Sequence, residues 1–127
     1  MKNCIRVEGK KLCIGSLSSE YREFLEAKGK SVGCPMLSTG LQKVIGGRVI
    51  CGTFDRQPHC WVEKGSKLYD LQHLAGDSVS LIVSTTDDRN YHRRDVRARE
   101  LALGVGVTGA EFREWTPRFR KAMAAEE

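Results

Sequence analysis

Three side chains in the middle of this chain, Cys34, His59 and Asp70, have the types and the order that thiol chemistry requires. Cys34 is followed by Pro35, which suits the first position of a helix, so the sequence predicts a cysteine at a helix N-terminus. The helix dipole and the unpaired N–H groups of such a terminus favour the thiolate, which is the nucleophilic form of cysteine. The backbone N–H of Cys34 could also stabilise an oxyanion that forms beside the sulfur.

A thiolate nucleophile needs a base, and the base needs a group that orients it; His59 and Asp70 are the candidates for these roles. They lie on consecutive predicted strands that are joined by a short turn near Gly65. A two-residue turn at positions 64–65 would place them directly opposite each other, and a turn at 65–66 would make the pair diagonal. Both registers keep the two side chains on one face of the sheet, whereas a three-residue turn without a bulge would separate them.

Two further residues are candidates for contact with a substrate. Trp61 is two residues after His59, so it shares its face of the strand and could exclude water beside the imidazole. Gln57, just before His59, is the candidate for a side-chain donor to the substrate, whereas Gln42 lies two turns into the helix and is too far away. The cysteines form no C-x-x-C pair, so the sequence predicts no metal site, and the proposed chemistry needs no cofactor.

The elements that position these residues follow from hydrophobic periodicity and from glycine and proline signals. The N-terminal part of the chain is predicted to form a hairpin of two short strands, residues 4–7 and 11–14. A helix should follow from residue 18 or 19 to Gly29. A second helix begins with Gly33-Cys34-Pro35 and buries an apolar stripe before it ends at residues 46–47, so Cys34 should face inward.

The central part of the chain is predicted to be an antiparallel meander that follows the second helix. Its last strand has a continuous apolar centre, which indicates burial on both faces. The predicted strands are residues 48–54, 59–63, 67–71 and 79–84.

The last third of the chain is predicted to be helical. One helix spans residues 93–103, a capping box that begins at Thr108 starts another, and Thr116-Pro117 start a third. Asp87-Asp88 are expected to lie near a helix N-terminus, where acidic side chains complement the dipole. His92 is expected to be a solvated residue at a helix start.

The length of 127 residues and the composition are those of a single globular domain, residues 1–127. The order of elements predicts the α+β class, with a helix packed on an antiparallel sheet at 33–84 and a helical C-terminal extension at 87–127. No apolar run approaches the length of about 18 residues that a membrane span needs. The charged N-terminus is unlike a secretory signal, so we expect a cytoplasmic protein. An odd count of five cysteines then argues for small buried side chains rather than a disulfide framework.

The net charge of +5 is mild, so it permits contact with nucleic acid without requiring it. Eight of the nine basic residues in 87–127 are arginines, and the helices between residues 93 and 121 faintly resemble a helix-turn-helix pattern. This gives an alternative function: a non-catalytic protein that binds DNA through these helices or serves as a degenerate interaction module. The competing interpretation of the segment is a helical cap on the sheet, with Trp115 and Phe119 in the core.

The motifs around the three candidate residues also resemble those of a known family. Gly33-Cys34 begins an apolar helix, a strand carries His59-Cys60-Trp61-Val62-Glu63, and Leu68-Tyr69-Asp70 follow after a turn. This pattern resembles the transglutaminase-like branch of the papain-like cysteine hydrolases, which includes the maturation proteases of lasso peptides. The usual second motif of that family is H-A-W-V-E, and a cysteine stands here in place of the alanine. The resemblance covers residues 33–71, about a third of the chain.

The resemblance implies a small papain-like or transglutaminase-like core and acyl transfer through a thioester to water or to an amine. It assigns Cys34 as the nucleophile, His59 as the base and acid, and Asp70 as the group that orients His59. The expected function is a cysteine-dependent hydrolase or acyltransferase, of the protease or transglutaminase type, that acts on a peptide or a glutamine-type amide. The expected partners are a peptide or protein substrate and, because the chain is short for the family, a partner protein.

Overall fold

The computed structural model of the chain describes residues 4–13, 22–24, 26, 34–73, 79–104 and 106–123. The strands are β1 (Cys4–Val7), β2 (Lys10–Cys13), β3 (Arg48–Phe54), β4 (Gln57–Lys64), β5 (Lys67–His73), β6 (Val79–Thr85) and β7 (Tyr91–Arg94). The helices that lie wholly within the described residues are α1 (Cys34–Ile45), α2 (Ala98–Gly104) and α3 (Gly109–Ala122). Helices pack on an antiparallel sheet, so the predicted α+β class is confirmed.

Five strands form one antiparallel sheet in the order β6-β5-β4-β3-β7, and β1 pairs with β2 in a separate hairpin. In the meander from β3 to β6, a two-residue turn at 55–56 connects β3 to β4, and another at 65–66 connects β4 to β5. The chain then crosses to the opposite edge of the sheet, where β7 pairs with β3. Gly52 permits this pairing, because a Cβ at that position would collide with the carbonyl oxygen of His92.

The core lies between the sheet and the helices. Helix α1 packs its apolar stripe on the face of the sheet that carries Val62, Tyr69 and Leu71. Helix α3 packs on α1, and Gly40 permits this approach because a Cβ there would lie 2.6 Å from Met123 Sδ. The buried residues of α1 include the four predicted for its stripe: Leu37, Leu41, Val44 and Ile45.

Two lysines hold the C-terminus of α1. Lys10 Nζ donates to the carbonyl oxygen of Val44 at 2.7 Å, and Lys64 Nζ donates to that of Ile45 at 2.8 Å. Both ammonium groups complement the negative end of the helix dipole and satisfy carbonyl groups that the helix leaves unpaired. These contacts fix the end of α1 beside the turn between β4 and β5.

The C-terminal helices pack on the core, α3 mainly on α1 and α2 also on β3 and β4. The core position predicted for Trp115 and Phe119 is confirmed, whereas a cap directly on the sheet describes α2 and not α3. Trp115 and Phe119 are buried, and each ring meets Phe24 edge to face, with centroids 5.3 and 5.7 Å apart. The capping box at Thr108 is present. The prediction that Thr116-Pro117 start a third helix is wrong, because Pro117 lies inside α3.

The segment 91–94 differs most from the sequence prediction. The sequence predicts a helix over 93–103, but Tyr91–Arg94 form β7 and the helix begins at Ala98. His92 is therefore an exposed strand residue and not the start of a helix. The strand forms because it pairs with the edge of β3 and because Arg93 reaches the buried Glu63, a residue distant in sequence that local patterns do not reveal.

The edge strand β6 and the turn after it also differ from the prediction. The sequence predicts burial on both faces of residues 79–84, but β6 is an edge of the sheet, and Ile82 and Val83 are 37% and 54% exposed. An apolar run predicts a strand and does not show whether another element covers it. Asp87-Asp88 lie in a turn rather than at a helix N-terminus, and Asp88 accepts a hydrogen bond from Ser84 Oγ.

Cys51 and Cys60 form a disulfide between β3 and β4. They are paired positions of the register, with Cα atoms 4.2 Å apart, and both side chains are buried. The predicted burial of these side chains is confirmed, and the preference for buried thiols over a disulfide is wrong for this pair. An odd count of cysteines does not show which strands become neighbours, whereas the register does.

The helix predicted from residue 18 or 19 to Gly29 lies outside the described residues, except for 22–24 and 26, which are helical. Among the residues that the structure describes, no helix is long and apolar enough to cross a membrane. The same part of the chain contains no group of three or more His, Cys, Asp or Glu side chains that could hold a metal ion.

Candidate active site

His59 and Asp70 form a direct hydrogen bond, with 2.6 Å between Nε2 of the imidazole and Oδ1 of the carboxylate. The turn at residues 65–66 sets the register of β4 and β5, so the pair is diagonal and both side chains lie on one face. The Asp70 side chain is fully buried, and that of His59 is 14% exposed. Because an ionised carboxylate only accepts, Nε2 donates this bond, and Nδ1 is the nitrogen that could take up a proton.

Asp70 is held by two further donors on its second oxygen. Its Oδ2 accepts from Gln72 Nε2 and from Tyr91 Oη, both at 2.7 Å. These hydrogen bonds compensate the carboxylate for its removal from water. Burial and the hydrogen bond to Asp70 raise the pKa of Tyr91, so the phenol keeps the proton that it donates. Asp70 is therefore fixed in position and able to orient His59.

Aromatic rings surround the imidazole of His59. Phe54 and Trp61 lie against it, with ring centroids 5.6 and 6.4 Å away. Tyr91 packs on both of these rings, at 4.6 Å from Phe54 and 5.0 Å from Trp61. Trp61 is fully buried, so the structure places it beside the imidazole. Gln57 is exposed at the start of β4, and its side chain has no hydrogen bond within the described part of the chain.

A second buried carboxylate adjoins this group. Glu63 Oε2 accepts from Trp61 Nε1 and from Arg93 Nε, both at 3.0 Å, and Arg93 Nη2 forms an ion pair with Glu63 Oε1. Arg93 and Tyr91 are two residues apart on β7, so they share a face and contact the two buried carboxylates of the site. Neither residue stands out in the sequence. Local patterns carry no signal for them, because Tyr91–Arg94 lack the apolar alternation that marks a strand.

Cys34 is the first residue of α1, and its side chain lies outside the described part of the structure. The two-residue link at 46–47 joins α1 to β3, so the helix runs back over the sheet from its anchor at Lys64. Eleven helical steps from Ile45 to Cys34 rise about 16 Å. Five strand steps from Lys64 back to His59 cover about 16 Å as well. The helix and the part of β4 between His59 and Lys64 are therefore of similar length.

The backbone ladder between β4 and β5 ends before it reaches His59. In the strands that the structure describes, the ladder between β4 and β5 comprises three pairs and ends at Val62–Tyr69. The hydrogen bond between His59 and Asp70 therefore bridges two strands whose backbones are no longer paired. Pleating puts His59 on the face opposite Val62, which packs against α1. His59 and α1 therefore lie on opposite faces of β4.

Comparisons of the chain with protein-family models, curated proteins and solved structures found no match. The assignment of a function therefore depends on the geometry of these residues and on the motifs that carry them.

Proposed function

We propose that the protein is a cysteine-dependent hydrolase or acyltransferase that acts on a peptide or a glutamine-type amide through a thioester. Cys34 is the nucleophile, His59 the base and acid, and Asp70 the group that orients His59. The observation that supports this most is the buried hydrogen bond between His59 and Asp70. The proposal includes a cytoplasmic location and a peptide or protein as substrate.

The proposed reaction begins with an ion pair of the Cys34 thiolate and the His59 imidazolium. The sulfur attacks the carbonyl carbon of the amide, and the oxyanion accepts a hydrogen bond from the backbone N–H of Cys34. When the C–N bond breaks, Nδ1 of His59 gives its proton to the leaving amine, and a thioester remains. Water or a second amine then attacks the thioester and loses a proton to Nδ1, and the C–S bond breaks to restore the thiolate and the imidazolium.

The hydrogen bond between His59 and Asp70 determines which nitrogen of His59 the sulfur of Cys34 must approach. Nε2 of His59 is bonded to Asp70, so the sulfur has to approach Nδ1. Since His59 and α1 lie on opposite faces of β4, the proposal requires the sulfur of Cys34 to reach the face that carries His59. The rings of Phe54 and Trp61 limit water around the imidazole, which strengthens an ion pair formed there.

The test is site-resolved alkylation with iodoacetamide between pH 5 and 9, read by mass spectrometry at each cysteine. A Cys34 thiolate that is paired with His59 should react below pH 7, whereas an unperturbed thiol has a midpoint near about pH 8.5. His59→Ala should abolish the fast reaction. His92→Ala is the matched control because His92 is exposed on β7, and it should leave the reaction of Cys34 unchanged.

Two outcomes would overturn the proposal: a Cys34 that follows the pH profile of an ordinary thiol, or a fast reaction that persists in His59→Ala. Either result would make a non-catalytic interaction protein the better interpretation. With a cleavable amide in hand, Cys34→Ala and His59→Ala should lose turnover to a near-equal extent, because members of such a set act as a unit.

A further inference from the structure

A basic cavity of about 330 Å³ opens at the edge of the sheet where β7 ends. Residues 48–51 of β3 form one wall, and residues 93–96 form the other. The charged side chains among them are Arg48, Arg93, Arg94 and Asp95. None of these residues takes part in the proposed acyl transfer.

The cavity carries an excess of positive charge. Arg93 is neutralised by its ion pair with Glu63. Arg48 and Arg94 are exposed, and neither forms an ion pair or a side-chain hydrogen bond within the part of the chain that the structure describes. The two positive guanidinium groups and the one negative carboxylate, that of Asp95, give the cavity a net charge of one positive unit. This charge complements a monoanion such as a carboxylate better than a dianion such as a phosphate.

The cavity is close to the candidate active site. Gly52 pairs with His59 on one side and with Arg93 on the other. Two strand spacings, about 10 Å, therefore separate the backbones of His59 and Arg93. An extended peptide advances about 3.3 Å per residue, so a carboxylate about three residues from the reacting amide would reach the wall of the cavity that carries Arg93 and Arg94.

We infer that this cavity binds a carboxylate of the substrate, which makes the substrate class a peptide with an aspartate or glutamate about three residues from the reacting amide. Arg48 begins on the face that carries His59 and Arg94 on the opposite face, so the two reach that carboxylate around the edge of β3 that β7 leaves unpaired, and they hold it through charge-assisted hydrogen bonds. The identity of the ligand as a substrate rests on the proposed function, whereas the anion site itself rests on the two arginines.

Peptide binding to the full-length Cys34→Ala variant tests the inference without turnover. The probes are fluorescein-labelled octapeptides of alanine and threonine with one glutamate, placed at each position in turn, and their matched glutamine peptides. Fluorescence anisotropy should show about tenfold tighter binding for at least one glutamate peptide than for its glutamine match. Arg48→Gln and Arg94→Gln should each remove this preference. Arg89→Gln removes the same charge at an exposed position in the turn between β6 and β7, and it should keep the preference.

Equal binding of all matched peptide pairs would overturn the inference, as would a glutamate preference that survives in Arg48→Gln or in Arg94→Gln. Loss of the preference in Arg89→Gln would show that net charge alone is responsible, and this would also overturn it. The alkylation experiment is independent of this one. If glutamate peptides are preferred but Cys34 is unreactive, the anion site is supported and the proposed enzymatic function is contradicted. If Cys34 is reactive but no glutamate preference appears, the enzymatic function is supported and the anion site is contradicted.

Discussion

The phenol of Tyr91, on β7, donates a hydrogen bond of 2.7 Å to Oδ2 of Asp70, on β5, across the two strands that lie between them. The other oxygen of this carboxylate accepts from His59. The last strand of the sheet thus helps to fix the group that orients the proposed base. In the proposed function Tyr91 is a positioning residue rather than a catalytic one, because it contacts Asp70 and not the reacting atoms.

Tyr91→Phe should slow the alkylation of Cys34 below pH 7 several-fold and lower the free energy of unfolding by about 1–2 kcal/mol, because Asp70 loses one of its donors. Tyr69→Phe is the matched control. Tyr69 also donates to a carboxylate, that of Glu8, but on the opposite face of the sheet from His59. It should reduce stability and leave the pH profile of Cys34 unchanged. Equal effects of the two variants on Cys34 would show that Tyr91 acts only through stability.

Asp70→Ala should lower the free energy of unfolding by about 3–5 kcal/mol, because it leaves its buried donors without an acceptor. Asp70→Asn keeps the volume and one acceptor oxygen, so its loss should be smaller. Urea unfolding at pH 7 measures both. Asp95→Ala, at an exposed position, should change stability by less than about 0.5 kcal/mol. A similar small change for Asp70→Ala would contradict the bonding described for this carboxylate.

Local patterns were sufficient to predict the relation between neighbouring strands. His59 and Asp70 share a face because a two-residue turn links their strands, and either register of such a turn preserves the alternation of side chains. The start of α1 at Cys34 follows in the same way from the backbone preference of Pro35. Both features are fixed by residues that are close in sequence.

Contacts between distant strands could not be predicted. Tyr91 lies 21 residues after its acceptor, Asp70, on a strand that does not pair with β5. A strand whose buried contacts are polar lacks the apolar alternation by which strands are recognised, so its arginines suggest a helix instead. The disulfide of Cys51 and Cys60 depends on the register across the turn at 55–56, which a count of cysteines does not contain.

The stability of the fold should decline in alkali because of Tyr69. Burial, and then the hydrogen bond to Glu8, raise the pKa of Tyr69 from 10.0 to about 12. Since the folded-state pKa lies above the unfolded value, the contribution to stability is complete below about pH 10 and is lost as the pH rises towards 12. Urea unfolding at pH 9, 10 and 11 should show a decline that is smaller in Tyr69→Phe. A decline of equal size in both proteins would exclude this contribution.

Reduction of the Cys51–Cys60 disulfide should loosen the strand that carries His59. The bond joins β3 to β4, and the closure of a loop of about ten residues corresponds to about 2–3 kcal/mol. Urea unfolding with and without dithiothreitol should show this difference, and a Cys51→Ala/Cys60→Ala double variant should be insensitive to the reductant. An equal response of both proteins would assign the effect to another cysteine. Because the cytoplasm keeps most thiols reduced, rapid alkylation of both cysteines in fresh cell extract would agree with the proposed location, and an intact bond there would contradict it.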